Sequence, residues 1–358
     1  MSLAVTVLKN SAVLLLFLLF ISCGTKNKEY ANNVFPYSQF PQEKELKGEV
    51  IELDTALFRY PFRIRIEGDK AIVLDLHGSD YYGHLFQYPS FRYLSSFGRR
   101  GDSPLEMLSM ENFRLHNHTL WTLDANKSEL TRLDFSSSGD SLLREETVAL
   151  DEDILRPLDF AIYNDTTFVI PDYSGESRFL KVDCKGKLIE KIGTIPTTNK
   201  KALQEARPAL AQAWRSFLDY NSHNSVLATV TQLGEVVEIY NLKDSTHVIR
   251  VGEYDEPEFK VSDGYGIPTG IMGFSDVQVT DDAIYAVFHG TSFKDIARQS
   301  GRLSDGGKYI YVFSLKGEPL CKYVLDHYIY GIWVDEATKT IIATDVNNDQ
   351  PILKFSFG

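Results

Sequence analysis

The sequence predicts an all-β protein, a six-bladed β-propeller, and three observations lead to this fold class. A strand–turn–strand pattern recurs along most of the 358 residues, further strand pairs lie upstream of its copies, and the strand missing at the C-terminus has a spare counterpart near the N-terminus. Such repeats are typical of propellers. The composition agrees, because 12% of the residues are aromatic, which suits β-rich chains, and 43% are hydrophobic, enough for a large core.

The repeat is clearest in five β-hairpins, each an apolar strand, a short polar turn and a second strand. They span residues 84–94, 132–142, 179–189, 238–249 and 311–320. The turn residues tolerate the backbone angles of tight hairpins. The markers Ser90, Gly139, Gly186, Asp244 and Gly317 in these turns lie 49, 47, 58 and 73 residues apart. The basic period is therefore about 48 residues, and the two long intervals carry insertions.

The insertions differ in composition. Lys200 to Asp219 is rich in Ala, Leu, Gln and Arg, which predicts a helix broken or kinked at Pro208. Glu253–Met272 and Ser292–Gly307 are rich in Gly, Ser and Asp, and they are predicted to be loops. These segments lengthen the intervals without adding a blade.

Further strand pairs precede the hairpins. They cover residues 62–66 with 71–75, 113–115 with 119–124, 158–162 with 168–172, 274–279 with 283–288, and 331–334 with 341–345. A pair and the hairpin that follows it make four strands, which is the content of one propeller blade.

The C-terminus provides the evidence that the blades close into a ring. Residues 354–358 align with the third strand of the preceding copy, so the last blade lacks its outer strand. An unpaired sheet edge promotes aggregation, and Gly48–Asp54, just before the first full blade, is a spare strand that can fill the gap. Residues 48–358 are therefore predicted to form one closed domain. The alternative is an open stack or an elongated sandwich. It leaves unexplained why a spare strand near the N-terminus matches the strand that the last blade lacks.

The N-terminus has the layout of a bacterial lipoprotein signal peptide. Lys9 precedes an apolar run from Ala12 to Ile21, and Ser22-Cys23-Gly24 follows. The run is too short to span a bilayer, which takes about 20 apolar residues. Residues 1–22 are thus predicted to be removed and Cys23 to carry the lipid, with residues 23–47 as a polar tether. The alternative is an ordinary signal peptide in which Cys23 is incidental.

The charge restricts the partners. The 49 acidic and 37 basic residues give a net charge of −12, or −13 without residues 1–22, which argues against binding to nucleic acid. An acidic surface is also repelled by anionic lipid headgroups, so the lipid on Cys23 would have to hold the protein at the membrane. The other two cysteines, Cys184 and Cys321, have no telling spacing and are predicted to be free thiols in a monomer.

Four blades end their second strand with an aspartate, namely Asp75, Asp124, Asp172 and Asp345. A ring of carboxylates could bind a cation, which needs several converging oxygen ligands. The favoured interpretation is structural, because aspartates at such positions accept backbone N–H bonds in their own turns. No metal motif, cofactor motif or catalytic motif occurs in the sequence, so no catalytic residue, metal or cofactor is predicted.

The segment from Phe97 to Glu106 is the densest cationic spot of this acidic chain and should face the channel. Its Arg99 and Arg100 could hold a carboxylate or phosphate through forked hydrogen bonds, or they could pair with Asp102 or Glu106 and fix the loop. With His289, which follows a predicted strand and could face the channel, they form the predicted ligand-binding set: Arg99, Arg100, Asp102 and His289.

These residues carry a family resemblance. The Ser-Cys-Gly sequence, the Phe97–Glu106 run, and residues 274–277 with 284–290 together resemble the TolB-like six-bladed β-propeller lipoproteins of Gram-negative gut bacteria. Asp102 and Ser103 interrupt the glycines that the family usually has in that run. The resemblance spans roughly residues 35–358. It implies the propeller fold and an exported, anchored location, and it implies no established activity.

Two hypotheses for function follow. The first is a non-enzymatic binding or scaffolding protein of the cell envelope, with a protein or a glycan as its ligand at the channel mouth. The second is a propeller enzyme, a lyase or hydrolase acting on a sugar or lactone, since propeller active sites take single residues from several blades. Gly24 after Cys23, with no aspartate there, resembles the outer-membrane sorting pattern of lipoproteins.

Overall fold

A computed structural model describes residues 33–54, 58–298 and 304–358. The predicted signal peptide and the predicted lipidation site, Cys23, lie outside these described residues. Three short strands open the described chain: β1 (Val34–Pro36), β2 (Gln42–Leu46) and β3 (Glu49–Ile51). None of the helices in the described ranges is long and apolar enough to cross a membrane.

The described residues form six blades of four antiparallel strands. Blade 1 contains β4 (Pro61–Glu67), β5 (Lys70–Asp75), β6 (Tyr81–Gln87) and β7 (Arg92–Arg99). Blade 2 contains β8 (Met110–His116), β9 (Thr119–Asp124), β10 (Glu129–Phe135) and β11 (Leu142–Ala149). Blade 3 contains β12 (Ala161–Asn164), β13 (Thr167–Pro171), β14 (Phe179–Asp183) and β15 (Leu188–Ile192).

Blades 4 to 6 follow the same order and complete the ring. Blade 4 contains β16 (Ser216–Asn221), β17 (Val226–Thr231), β18 (Val236–Asn241) and β19 (Thr246–Val251). After a separate hairpin of β20 (Phe259–Ser262) and β21 (Tyr265–Pro268), blade 5 contains β22 (Phe274–Val279), β23 (Ala283–Phe288), β24 (Gly307–Ser314) and β25 (Pro319–Ile329). Blade 6 contains β26 (Ile332–Asp335), β27 (Thr340–Thr344), β28 (Ile352–Ser356) and the N-terminal β3.

The ring closes as the sequence predicts. The first strand of each blade contacts the first strand of the next, from β4 through β8, β12, β16, β22 and β26 and back to β4. Strand β3 pairs antiparallel with β28, with Glu49 opposite Lys354, Val50 opposite Leu353 and Ile51 opposite Ile352. The N-terminal strand thus supplies the outer edge that the last blade lacks.

The segment just before β3 differs from the prediction. Residues 23–47 were predicted to be a tether, but β1 pairs parallel with β19 of blade 4 and β2 pairs parallel with β25 of blade 5. From Val34 onward, therefore, this segment adds a fifth strand to each of two blades. Backbone pairing holds the two strands, in which only Leu46 is buried, and between them Tyr37 and Phe40 pack against Tyr311 of blade 5.

The insertions are also more structured than predicted. Two helices, α1 (Lys200–Glu205) and α2 (Arg207–Ala213), replace the single predicted helix and break at Ala206, with Pro208 in the first turn of α2. The helical prediction was wrong at its end, because β16 already begins at Ser216. The loop prediction was wrong within Glu253–Met272, which holds the β20–β21 hairpin, and within Ser292–Gly307, which holds α3 (Phe293–Arg298).

The core lies between neighbouring blades. The second strands β13, β17, β23 and β27 are buried along their whole length, because another sheet packs on each of their faces. Cys321 is buried, Cys184 is half-buried, and both are free thiols.

Candidate functional site

A polar pocket of about 240 Å³ occupies the mouth of the central channel. Its walls come from residues at or just before the start of a first strand, or just after a second strand, where the chain turns at this end of each blade. Five blades contribute: the lining includes Tyr60 and His77 of blade 1, Glu111 of blade 2, Leu158 before blade 3, Arg215 and Gln232 of blade 4, and Tyr330 before blade 6. The propeller thus gathers at one point side chains that are far apart in sequence.

The floor of this pocket is aromatic. Phe62 and Phe217 line it, and the guanidinium carbon of Arg63 lies 5.2 Å and 4.8 Å from the centres of their rings. Arg63 itself is fully buried. The two rings therefore separate the pocket from the charged interior and hold a cation against their faces.

A buried network of ions fills the channel beyond these rings. Arg65 makes a bidentate pair with Asp276 at 3.0 Å for both nitrogens, and Arg63 Nε lies 3.4 Å from the same carboxylate. On the other side, Arg63 Nη1 is 3.8 Å from Asp159, and Arg114 Nη2 is 2.7 Å from that carboxylate. Three arginines and two aspartates from the inner strands of blades 1, 2 and 5, and from the start of blade 3, thus hold one another.

The opposite charges in the network offset the cost of burial more fully for Asp276 than for Arg63. Burial alone would raise the pKa of Asp276, but Arg63 and Arg65 outweigh it and keep that pKa below the usual range. Burial lowers the pKa of Arg63 to about 10, although Asp276 and Asp159 act in the opposite direction. Asp276 and Arg63 are therefore both ionised near neutral pH, and the buried network is a fixed structural element that closes the pocket from below.

The mouth of the channel offers both hydrogen-bond donors and hydrogen-bond acceptors. Arg215 lies 3.7 Å from Glu111, and both side chains are partly exposed. The hydroxyl of Tyr60 donates to the carboxylate of Asp305, and its ring packs edge-on to that of Tyr330 at 5.6 Å. The pocket can therefore satisfy a ligand that has several polar groups and no large net charge.

Two further cavities continue from the mouth towards the rim. A cavity of about 80 Å³ shares Phe217, Gln232 and Tyr330 with the mouth pocket and adds residues of blade 5. Next to it, a larger cavity of about 610 Å³ opens between blades 4 and 5. His289 lines both of them. We refer to this larger space as the inter-blade cavity.

His289, which the sequence predicted as a ligand-binding residue, sits at the junction of these spaces. The residue is 9% exposed, its ring packs edge-on to that of Tyr330 at 5.6 Å, and its backbone N–H donates to the carbonyl of Gly273. Its Nε2 is buried with no hydrogen-bond partner among the described residues. Burial lowers the pKa of His289 to about 4 despite the nearby Asp305, so the ring is neutral at pH 7.

The other predicted ligand-binding residues are placed differently. Arg100 lies with its guanidinium carbon 3.7 Å over the ring of Tyr82 and donates to the carbonyl of Leu76, a residue of the mouth. The side chain of Arg99 is 69% exposed, with Nε 3.6 Å from Glu106. Asp102 is exposed in the same loop. Neither Arg99 nor Asp102 lines the three cavities described above, and Arg100 positions the wall of the mouth from behind.

The four blade-end aspartates act in their own turns, as the favoured interpretation proposes. Asp124 accepts hydrogen bonds from the backbone N–H groups of Leu108, Ser109, Asn126 and Lys127. Asp75, Asp172 and Asp345 accept backbone N–H groups in the same way. Within the described ranges, no group of three or more His, Cys, Asp or Glu could hold a metal ion.

Sequence reasoning missed Tyr60, Glu111, Arg215, Gln232 and Tyr330. No local motif marks them, since each stands alone at or near the end of a strand. A positional signal does exist: once the four-strand period is known, the residues around the start of each first strand and just after each second strand form the mouth of the channel.

Comparison with known proteins agrees with this architecture. The model of the TolB-like 6-blade propeller-like family matches residues 39–337, well over half of the chain. The chain belongs to the TolB-like six-bladed propeller family. Its members' shared fold accounts for the closed ring, and the sequence resemblance pointed to the same family. No curated protein matches the chain significantly.

Solved structures show the same fold at low sequence identity. A Bacteroides fragilis protein described as exported has a TM-score of 0.57 at 12% identity, over 90% of this chain and 98% of that one. A member of the duf4221 family from Bacteroides vulgatus has a TM-score of 0.55 at 10% identity, over 88% and 98%. An auxiliary nutrient binding protein from Bacteroides ovatus has a TM-score of 0.53 at 10% identity, over 84% and 70%.

Proposed function

We propose that this TolB-like propeller is a binding protein of the cell envelope that holds a hydroxyl-rich ligand, a glycan, in the pocket at the channel mouth. The observation that supports it is the pocket itself: polar side chains from four blades converge above a floor that the ion network closes. A closed floor makes the channel a blind pocket rather than a conduit, and a blind pocket with a few converging polar groups is the usual form of a ligand site.

The chemistry of the pocket favours a glycan over an ion. Arg215 and Glu111 lie 3.7 Å apart, so each compensates the charge of the other and neither attracts a simple anion or cation on its own. The tyrosine hydroxyls and the amide of Gln232 can each donate and accept hydrogen bonds. Phe62 and Phe217 supply apolar ring surface at the floor, against which the C–H face of a sugar can pack.

The proposed location rests on the N-terminal sequence. The apolar run followed by Ser22-Cys23-Gly24 supports export, removal of residues 1–22, and a lipid on Cys23 that holds the propeller at the outer membrane. Two proteins of the same fold are described as exported and as nutrient binding, and both descriptions are compatible with an envelope binding role.

The test is a titration of the purified protein with oligosaccharides released from its own envelope, followed by calorimetry. Arg215→Ala should weaken binding about tenfold, because it removes a charged donor from the mouth and leaves Glu111 alone. Arg92→Ala, on an exposed part of blade 1, is the matched control and should bind as the wild type does.

Two outcomes would contradict the proposal. If Arg215→Ala and Arg92→Ala bind equally well, the ligand does not lie at the mouth. If the oligosaccharides are consumed, and His289→Ala abolishes that turnover, the protein is an enzyme of the lyase or hydrolase class. Arg99→Ala in the same series tests the role predicted for that exposed residue.

A further inference from the structure

The inter-blade cavity has an aromatic wall. Phe288 and Tyr311 stack at 4.7 Å, Tyr254 lies 6.2 Å from Phe288, and Tyr309 lies 6.4 Å from Tyr311, all between ring centres. Tyr37, from the segment between β1 and β2, packs edge-on to Tyr311 at 6.5 Å. The N-terminal chain thus forms one side of a cavity whose volume, about 610 Å³, suits a small organic molecule.

A buried carboxylate faces this wall without a cation to balance it. Glu235, between β17 and β18, is 4% exposed, and it accepts a hydrogen bond from the backbone N–H of Tyr254 at 3.1 Å. Among the described residues, no lysine, arginine or histidine forms an ion pair with it. Burial raises the pKa of Glu235, and the neighbouring Glu253 adds to that effect. The Tyr254 N–H and the Tyr37 side chain act in the opposite direction on this pKa, but neither is a cation. A cationic ligand can therefore supply the counter-charge that a buried carboxylate normally has.

The backbone around Glu235 is built to hold the acid in place. A Cβ atom at position 252 would lie 1.9 Å from the Glu235 carboxyl carbon, so any side chain there would displace the carboxyl group from its present place. Burial raises the pKa of the Tyr37 and Tyr311 hydroxyls, and the negative charge of the nearby Glu235 raises both further. The acid and the tyrosine hydroxyls therefore lie close together at one end of the cavity.

A second observation also points to a ligand. His289 lines the inner end of the cavity, and its buried Nε2 has no hydrogen-bond partner among the described residues. Because burial keeps the ring neutral, this nitrogen can accept a hydrogen bond from a cationic donor without repelling it.

The lysines of the cavity are already engaged. Lys322 pairs with Glu43 at 2.9 Å and lies 4.8 Å from the ring centre of Tyr309. Lys308 lies 4.8 Å from the ring centre of Tyr328. These contacts show that the rings of the cavity accept cations on their faces, while neither lysine reaches Glu235.

We propose that the inter-blade cavity is a second binding site, specific for an organic ammonium ion, in which Glu235 balances the charge and Tyr254, Phe288 and Tyr311 pack against the alkyl groups. An anion is disfavoured there by Glu235 and Glu253. A neutral sugar would leave the buried acid uncompensated. Aromatic rings beside a carboxylate are the usual environment for substituted ammonium groups. This site is separate from the glycan pocket, so the result for Arg215→Ala does not decide this second proposal.

The experiment titrates the full-length protein with choline and ethanolamine, as quaternary and primary ammonium probes, and follows binding by calorimetry. The uncharged probe 3,3-dimethylbutan-1-ol, which has the shape of choline, and glucose serve as controls. At least one ammonium probe should bind, and 3,3-dimethylbutan-1-ol should bind at least about tenfold more weakly than choline. Binding of the ammonium probe should strengthen as the pH rises and Glu235 ionises.

Variants distinguish a loss of ligand binding from a loss of folding. Glu235→Gln and Tyr254→Leu should each weaken binding at least about tenfold, whereas Glu190→Gln, an exposed acid on blade 3, should leave it unchanged. Thermal unfolding of each variant shows whether it is folded, and Tyr254 is 48% exposed, so its replacement should not affect folding. Equal affinity for choline and its uncharged analogue, stronger binding of glucose, binding unaffected by Glu235→Gln, or no binding of either ammonium probe would each overturn the proposal.

Discussion

The guanidinium of Arg65 forms a bidentate pair with the carboxylate of Asp276, each Nη atom donating to a different oxygen at 3.0 Å. Arg65 belongs to the inner strand of blade 1 and Asp276 to that of blade 5. Both also bond to the backbone of Ile332 in blade 6, since Arg65 donates to its carbonyl and Asp276 accepts its N–H. One ion pair therefore joins three consecutive blades where the ring closes.

Removing Asp276 should destabilise the propeller strongly. Asp276→Ala leaves Arg63 and Arg65 buried without this partner, and breaking a buried ion pair costs about 3–5 kcal/mol. Chemical denaturation should show this loss in the free energy of unfolding. Asp349→Ala, an exposed residue on blade 6, should change that energy by less than about 0.5 kcal/mol. Equal stability of the two variants would mean that the network does not hold the ring.

The N-terminal strand β3 should be necessary for closure. A chain beginning at Gly48 keeps β3 and loses β1 and β2, whereas a chain beginning at Asp54 also loses β3 and exposes the edge of β28. The shorter chain should melt at a lower temperature and aggregate at concentrations where the longer one stays monomeric. Size-exclusion chromatography and thermal unfolding compare the two. Identical behaviour would show that blade 6 does not need its fourth strand.

Asp124 should stabilise its turn without any metal. Asp124→Ala removes the acceptor of four backbone N–H groups, and we expect a loss of about 3 kcal/mol in the free energy of unfolding. Asp124→Asn keeps an oxygen and should lose less. Added calcium should leave the melting temperature of the wild type unchanged. A rise with calcium that Asp124→Asn abolishes would instead support the cation ring.

Two buried histidines should make stability depend on pH. Burial lowers the pKa of His84 and of His289 to about 4, from the ordinary value of 6.5. In the unfolded chain both histidines take up a proton below about pH 6.5, whereas in the folded protein they stay neutral down to about pH 4. The free energy of unfolding therefore has its full value above pH 6.5 and falls as the pH drops towards 4, by an amount on the order of 3 kcal/mol for each histidine. Urea unfolding of the wild type and His84→Gln at pH 7 and pH 4.5 measures this.

In that comparison the variant should lose less stability than the wild type between the two pH values. His118→Gln is the control, since the His118 side chain is 87% exposed. An equal pH dependence in wild type and His84→Gln would refute the contribution of His84.

The fold was predictable because its signals are local and repeated. Each hairpin carries its own turn residues, and the strand missing after residues 354–358 could be matched to Gly48–Asp54 without knowing any contact. The parallel strands β1 and β2 were missed because they are short and mostly exposed, so they show no apolar alternation. Their positions depend on edges of blades 4 and 5 that are distant in sequence.

The site was harder to predict, for a physical reason. Arg100 was predicted to bind a ligand, but its guanidinium packs over the ring of Tyr82. Only the folded sheet creates this contact. Arg215 carried no local signal, and it reaches the mouth only because β16 begins immediately after it. His289 could be predicted because it directly follows a strand at the same end of a blade.

Cys23 should anchor the protein. Cys23→Ser prevents attachment of a lipid to the thiol, so the protein should move from the membrane fraction to the soluble fraction and lose incorporation of labelled fatty acid. Cys184→Ser is the matched control and should remain in the membrane fraction. A Cys23→Ser protein that still takes up label would contradict the lipoprotein prediction.

The most direct test of the central claim places a photoreactive benzoyl-phenylalanine at Gln232, inside the mouth, in the full-length protein within its host cells. The same group at Ser138, in the exposed turn between the outer strands of blade 2, is the control. We predict that illumination yields a discrete glycan adduct from position 232, that Arg215→Ala diminishes it, and that position 138 yields none. An adduct that forms only from position 138, or one from position 232 that is unaffected by Arg215→Ala, would contradict a ligand site at the channel mouth.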